Sequence, residues 1–144
     1  MVILQKPLKM KATKLNILIK NLFAKKVGFL SSSVVPAARG YVKVTRDINE
    51  NYIIRVNVSN LAEVNRLQPS KQAYVVWMIT DREIIVSIGQ INSSTTFLST
   101  KLKASFNKIS LSKPIKIFIT AEDDAKNQIP NDQVILTTDR FYLN

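Results

Sequence analysis

Apolar and polar residues alternate with a period of two through much of the chain beyond residue 40. Over Tyr41–Asp47, Val42, Val44 and Arg46 stand against Tyr41, Lys43 and Thr45. Asp47-Ile48-Asn49-Glu50-Asn51 supplies turn formers. Tyr52–Ser59 then resumes the alternation, with Ile54, Val56 and Val58 against Ile53, Arg55 and Asn57. This period marks half-buried strands, and the pair predicts an antiparallel hairpin. Asn60–Gln72 is an irregular connection in which Leu61, Val64 and Leu67 recur at helical spacing, and Leu61 is expected to plug the core. Ala73–Thr80 and Glu83–Gln90 are dense in β-branched and aromatic residues around a polar break at Asp81-Arg82. They predict a second hairpin, central to the sheet.

The same pattern continues toward the C-terminus. Asn92–Thr96 is a polar turn and Phe97–Ala104 a strand. Ser105–Pro114 is read as a crossover with Phe106, Ile109 and Leu111 tucked inward. Ile115–Ala121 is a strong strand, Glu122–Asp132 a polar loop and Gln133–Thr138 the last full strand, with Phe141-Tyr142-Leu143 extending or covering it. About seven strands in roughly 105 residues, with no long helical pattern, predict an all-β fold: an antiparallel β-sandwich of Ig-like size.

Residues 1–39 have a different texture and are read as a basic leader or linker, with the sandwich domain over 40–144. Leu15, Leu18, Ile19, Leu22 and Phe23 recur at i, i+3, i+4, i+7 and i+8, which predicts a basic amphipathic helix over about Lys14–Leu30. Three readings fit this segment: an irregular leader, an atypical export leader, or a helix lying on an anionic membrane surface or a partner. For export, the basic start and the small residues Ser31–Ala38 are present, with Ala37-Ala38 as the candidate cleavage point. The apolar run is broken by Lys20, Asn21, Lys25 and Lys26, and it is too short to span a bilayer.

Charge sharpens this division. The chain of 144 residues carries a formal net charge of +11. Residues 1–40 hold eight basic side chains and no acid, which leaves the body at +3. High pI therefore reports the leader, and nucleic acid is not an expected partner. A basic stripe of Lys101, Lys103, Lys108 and Lys113 has only Phe97 and Phe106 as interleaved aromatics. The chain has no Cys and no His. That removes Cys nucleophiles, Ser-His-Asp triads, the usual structural zinc sites and disulfides.

Candidate chemistry is sparse. Glu122-Asp123-Asp124, with Asp132 beyond, is the acidic cluster that a hard cation would need, set against a solvated turn after a buried strand. Ser93, Ser94, Thr95 and Thr96 are rich in hydroxyls but lack an activating base. Trp77, with Tyr74 and Met78, invites a ligand-pocket reading. Tyr74, Val76 and Met78 share one strand face and Val75, Trp77 and Ile79 the other, and Trp77 is expected to anchor the sandwich core. No catalytic, cofactor-binding or metal-ligating residue is assigned, and no cofactor is expected.

Several short motifs then fall in a recognisable order. Val56-x-Val58-x-x-Leu61 precedes Tyr74-x-x-Trp77, Ser-Ile-Gly-Gln at Ser87–Gln90 and Ile-Phe-Ile-Thr-Ala-Glu at Ile117–Glu122. Pro130 and Val134-Ile135-Leu136 complete the set. Over about residues 40–138 this order resembles the C-terminal, extracytoplasmic domain of anti-sigma-K factors. The resemblance implies a β-sandwich, no catalytic residues, a periplasmic or cell-envelope location and a protein-binding or sensing role. In that family a transmembrane helix and a sigma-binding domain precede the module, and the chain shows neither pattern. A cytoplasmic location and membrane-surface anchoring by residues 14–30 are the alternatives.

Overall fold

The computed structural model describes residues 24–91 and 102–143, with the backbone alone for 102–105. Its strands are β1 (Lys25–Gly28), β2 (Arg39–Arg46), β3 (Tyr52–Leu61), β4 (Ala73–Thr80), β5 (Ile85–Ile91), β6 (Leu102–Ser110), β7 (Pro114–Glu122) and β8 (Val134–Thr137). They form two antiparallel sheets of four, in the orders β1-β2-β3-β6 and β5-β4-β7-β8. The fold is the all-β sandwich that the alternation predicts.

Burial of apolar faces between the sheets drives this arrangement. From the first sheet, Val42, Val44, Ile54, Val56 and Val58 point inward; from the second, Tyr74, Val76, Met78, Ile117 and Ile119 meet them. Asn60 supplies an extra residue at a bulge in β3, and its positive φ of 58° turns the chain. The bulge shifts the side-chain parity, so Leu61 joins Val58 and Val56 in the core. Val64 and Leu67, on and after a short 3-10 turn at Val64–Arg66, fill the same core from the connection.

The open sides of the sandwich are closed differently. On one side Phe29 bridges to Thr138, and the Leu30 N–H donates to the Thr137 carbonyl at 2.9 Å, which ties β1 to the edge of β8. On the other, the Phe106 ring of β6 lies against Gly89 of β5, where a Cβ would come within 2.1 Å of it. Gly89 is there because two sheets approach closely.

Three expectations are corrected. Residues 25–28 are a strand, so the helix predicted over Lys14–Leu30 does not extend through them; the rest of it, 14–23, lies outside the described residues. Val27 and Phe29 are drawn into the core margin, and strand pairing satisfies a backbone that a helix would have satisfied internally. The end of the segment read as leader or linker over 1–39 packs on the sandwich: Val35 and Ala38 are core residues, and Ser32 Oγ accepts the Val35 N–H at 2.9 Å. Finally, the crossover at Ser105–Pro114 is mostly strand β6, paired residue by residue with β3. Ile109 and Leu111 face outward at 62% and 87% exposure, while Phe106 is half-buried. The turns at Asn92–Thr96 and the start of the strand at Phe97 lie outside the described residues.

Candidate functional site

Two features at the sandwich surface bring polar or apolar groups together in a way the hydrophobic core does not require. The first begins at Trp77. Its Nε1–H donates to Thr120 Oγ1 at 2.8 Å, and the Thr120 hydroxyl donates onward to Glu122 Oε2. Strand period places Thr120 and Glu122 on the same face of β7, and antiparallel register sets Phe118 opposite Trp77. The two rings stack with centroids 6.4 Å apart. Glu122 is buried, and its carboxyl group also accepts the Asn131 N–H at 2.9 Å and the Asn127 side-chain amide at 3.2 Å. The Asn131 amide donates to the Ala121 carbonyl at 3.1 Å. Glu122 thus holds the 123–132 loop against the end of β7. Every acceptor oxygen of its carboxyl group has a donor, as a buried polar group requires.

The expected acidic cluster is therefore dispersed. Glu122 turns inward, Asp123 pairs with Lys71 Nζ at 3.3 Å, and Asp124 Oδ1 accepts the Lys126 N–H at 2.8 Å within a turn. Asp132 is exposed, and its carbonyl accepts the Val134 N–H. Among the described residues no group of three or more His, Cys, Asp or Glu side chains is arranged to hold a metal ion.

Trp77 is fully buried, yet it does not anchor the core between the sheets. With Val75, Phe118 and Ile79 it forms a separate cluster on the far face of the second sheet. Tyr74 and Met78 do belong to the main core. The Tyr74 hydroxyl donates to the Ala62 carbonyl at 2.7 Å, and burial pushes its pKa up to about 12. The pocket reading of Tyr74, Trp77 and Met78 fails because the strand sends them to opposite faces.

The second feature is a groove of about 490 Å³ at the end of the sandwich that carries the β2–β3, β4–β5 and β6–β7 turns. Tyr52, Ile84, Val86 and Leu111 give it apolar walls, and Asp81, Arg82 and Lys113 line it. Arg46 lies 4.9 Å over the Tyr52 ring and braces that wall. The β4–β5 turn is fixed by Thr80, whose Oγ1 accepts the Arg82 and Ile84 N–H groups at 3.3 Å, and by Glu83 at a φ of 62°. Arg140 grips Glu83 with two hydrogen bonds, at 2.7 and 2.5 Å. That pairing, chiefly the hydrogen bonds, holds the Glu83 carboxyl below its ordinary pKa. Ile84 and Leu111 remain exposed on the two turns.

Neither feature was singled out from the sequence. The signal for the groove was Leu111, an aliphatic residue inside the Ser-Leu-Ser-Lys turn 110–113, where turn chemistry leaves little core to reach. The signal for the polar chain was Thr120 two residues before Glu122, on the face of a strand otherwise apolar. Lys108 is exposed and Lys113 lines the groove; the side chains of Lys101 and Lys103, and residues Ser93–Thr96, lie outside what is described. No helix among the described residues is long and apolar enough to cross a membrane.

Comparison with known proteins finds no matching family model, no matching curated protein and no matching solved structure.

Proposed function

We propose that the chain is a non-enzymatic binding or sensing module of the cell envelope that holds a protein partner in the groove between Ile84 and Leu111. The observation that carries this reading is the exposure of those aliphatic side chains at the rim of a concave site. Leu111, at 87% exposure, contributes almost nothing to folding where it stands. Exposed aliphatic residues gathered at a groove mark contact sites more often than isolated ones do. Tyr52 and Arg82, residue types favoured at interface hot spots, stand beside them. The engagement of Glu122, Asp123, Asp124 and Glu83 in loop and turn contacts also favours binding over hydrolysis. The envelope placement follows from the likeness of the motif order to the extracytoplasmic domain of anti-sigma-K factors.

A photo-cross-linking residue at position 111, used in cells of the source organism, tests the proposal. A discrete protein adduct in the envelope fraction that disappears with Ile84→Asp is expected. No adduct, or one indifferent to Ile84→Asp, overturns it.

The second reading, attachment to an anionic membrane surface through the basic segment, is narrowed by β1. Lys25–Gly28 is committed to the sheet, so Leu15, Leu18, Ile19, Leu22 and Phe23 would have to do the work. Salt-sensitive sedimentation with anionic vesicles, lost when residues 1–22 are removed, is its expected signature.

A further inference from the structure

The edge strands of a sheet present unpaired N–H and C=O groups that a further strand can use. Here the edges are β1 and β6 of the first sheet and β5 and β8 of the second. Three of them are protected. β1 carries Lys25 and Lys26 among its four residues. β6 carries Lys108 opposite the buried Ile54, so a charge stands at a core-facing position and leans out to solvent. β8 is met by Phe29 and by the Leu30 N–H. β5 is different. Over Ile85–Ile91 it has no charged residue and no proline, and among the described strands it pairs with β4 alone.

The Ile84 carbonyl accepts the Thr80 N–H at 2.9 Å, so it points at β4. Antiparallel pairing alternates, and Val86 faces β4 in the same way. The backbone groups of Ile85 and Ser87 therefore point to the open edge. Both residues are exposed, Ile85 at 45%. Beyond Ser87 the bulge at Ile88 breaks the line and blunts the rest of the strand. What remains is a short straight edge that runs along the groove, whose wall includes Ile84 and Val86.

Charge selects the occupant. Arg82 and Lys113 line the groove with one acid, Asp81. Lys108 borders the same gap, since it stands between Phe106, whose ring lies against Gly89, and Leu111 of the groove. Glu83 is gripped by Arg140, and the Asp47 carboxylate accepts the Asn49 and Asn51 N–H groups of its own turn. A second copy would bring the same cations together, whereas an acidic segment would complement them.

We propose that the partner held in the groove supplies an extended acidic segment that adds to β5 as a fifth strand of the second sheet. This rests on the groove reading above and names the form of its partner. The segment's main chain bonds to Ile85 and Ser87. An aliphatic side chain enters the groove beside Val86 and Tyr52, and acidic side chains at its ends meet Arg82, Lys108 and Lys113. In strand addition, main-chain bonds supply affinity and alternate side chains supply specificity, so a generic extended peptide is a valid probe.

Three short synthetic peptides serve as probes: valine-threonine repeats flanked by glutamates, the same repeats flanked by lysines, and the glutamate form with a central proline. The first should bind the full chain, weaken with salt and slow amide exchange at Ile85 and Ser87; the other two should not bind. Ser87→Pro removes an outward N–H without touching a bond to β4 and should weaken binding about tenfold, while Ser87→Ala should not. Equal binding of all three peptides, no binding, or binding without amide protection overturns the proposal, and these readings need no variant. Slow exchange at Ile85 and Ser87 in the free chain overturns it too. The edge is then occupied by the chain itself or, where protection rises with concentration, by a second copy. The cross-link from position 111 separates the two readings. An adduct that is lost with Ile84→Asp but survives Ser87→Pro overturns strand addition alone. No adduct overturns the groove reading and strand addition with it.

Discussion

Glu122→Ala is expected to destabilise the chain well beyond what a polar residue next to a loop would suggest. The substitution removes the acceptor for the Thr120 hydroxyl, the Asn131 N–H and the Asn127 amide at once. Asn127 and Asn131 are partly accessible and recover some hydration; Thr120 is wholly buried and does not. A stranded buried donor costs about 1–3 kcal/mol, and the loss of the partly buried bonds adds to it, for about 3–4 kcal/mol in all. At about 3 °C per kcal/mol for a chain of this size, Tm should fall by roughly 10 °C. Glu122→Gln separates the hydrogen bonds from the volume. Its carbonyl oxygen can still accept from Thr120 and Asn131, and Asn127 can turn its own oxygen toward the new amide, so the cost should be about 1 kcal/mol. Urea and thermal unfolding followed by Trp77 emission measure both. Alanine costing under about 1 kcal/mol, or glutamine costing as much as alanine, would refute the clamp.

Gly89→Ala should cost about 1–3 kcal/mol because its Cβ would collide with the Phe106 ring; Phe106→Leu in the same chain should restore part of that in a double-mutant cycle. Leu111→Asp should leave stability within about 0.5 kcal/mol of wild type, being exposed, while abolishing partner cross-linking from a probe at Ile84, across the groove. The Glu83–Arg140 pair makes a pH prediction. Glu83 has a folded pKa below its unfolded value, so its contribution is present above the unfolded pKa and is lost as pH falls through the folded one. Both groups are exposed, so the Tm difference between wild type and Glu83→Gln should be small at neutral pH, weaken with salt, and vanish in acid.

Much of this architecture was legible because strand period is a strong signal where one face is wet. Val42 and Val44, then Ile54, Val56 and Val58, could be assigned inward by counting in twos, and they are buried. Counting fails where the backbone inserts a residue. Ser87 and Gly89 sit opposite consecutive residues Trp77 and Val76, so a bulge at Ile88 breaks the phase along β5, as Asn60 does in β3. Nothing in the side-chain pattern alone marks such insertions. Lys25–Gly28 misleads for another reason: four residues are too few to show a period of two, and the neighbouring residues carry a period of 3.6 that extends into them. Tertiary pairing with Tyr41–Val44 overrides that local preference. The groove was illegible because its walls come from three turns distant in sequence.

Trp77 shows how far pattern can be pushed when both parities are read. Ala73–Thr80 is apolar at odd and even positions alike, so a sheet facing water on its outer side cannot account for it. Assigning Tyr74, Val76 and Met78 to the inter-sheet core leaves Val75, Trp77 and Ile79 needing a cover of their own. Treating tryptophan as a core anchor by residue type conceals that requirement, since a single core has room for one face only. The structure places Tyr74, Val76 and Met78 in the core and buries Trp77 with Phe118 behind the sheet. A strand apolar on both faces in an antiparallel sandwich is thus an argument for a third layer.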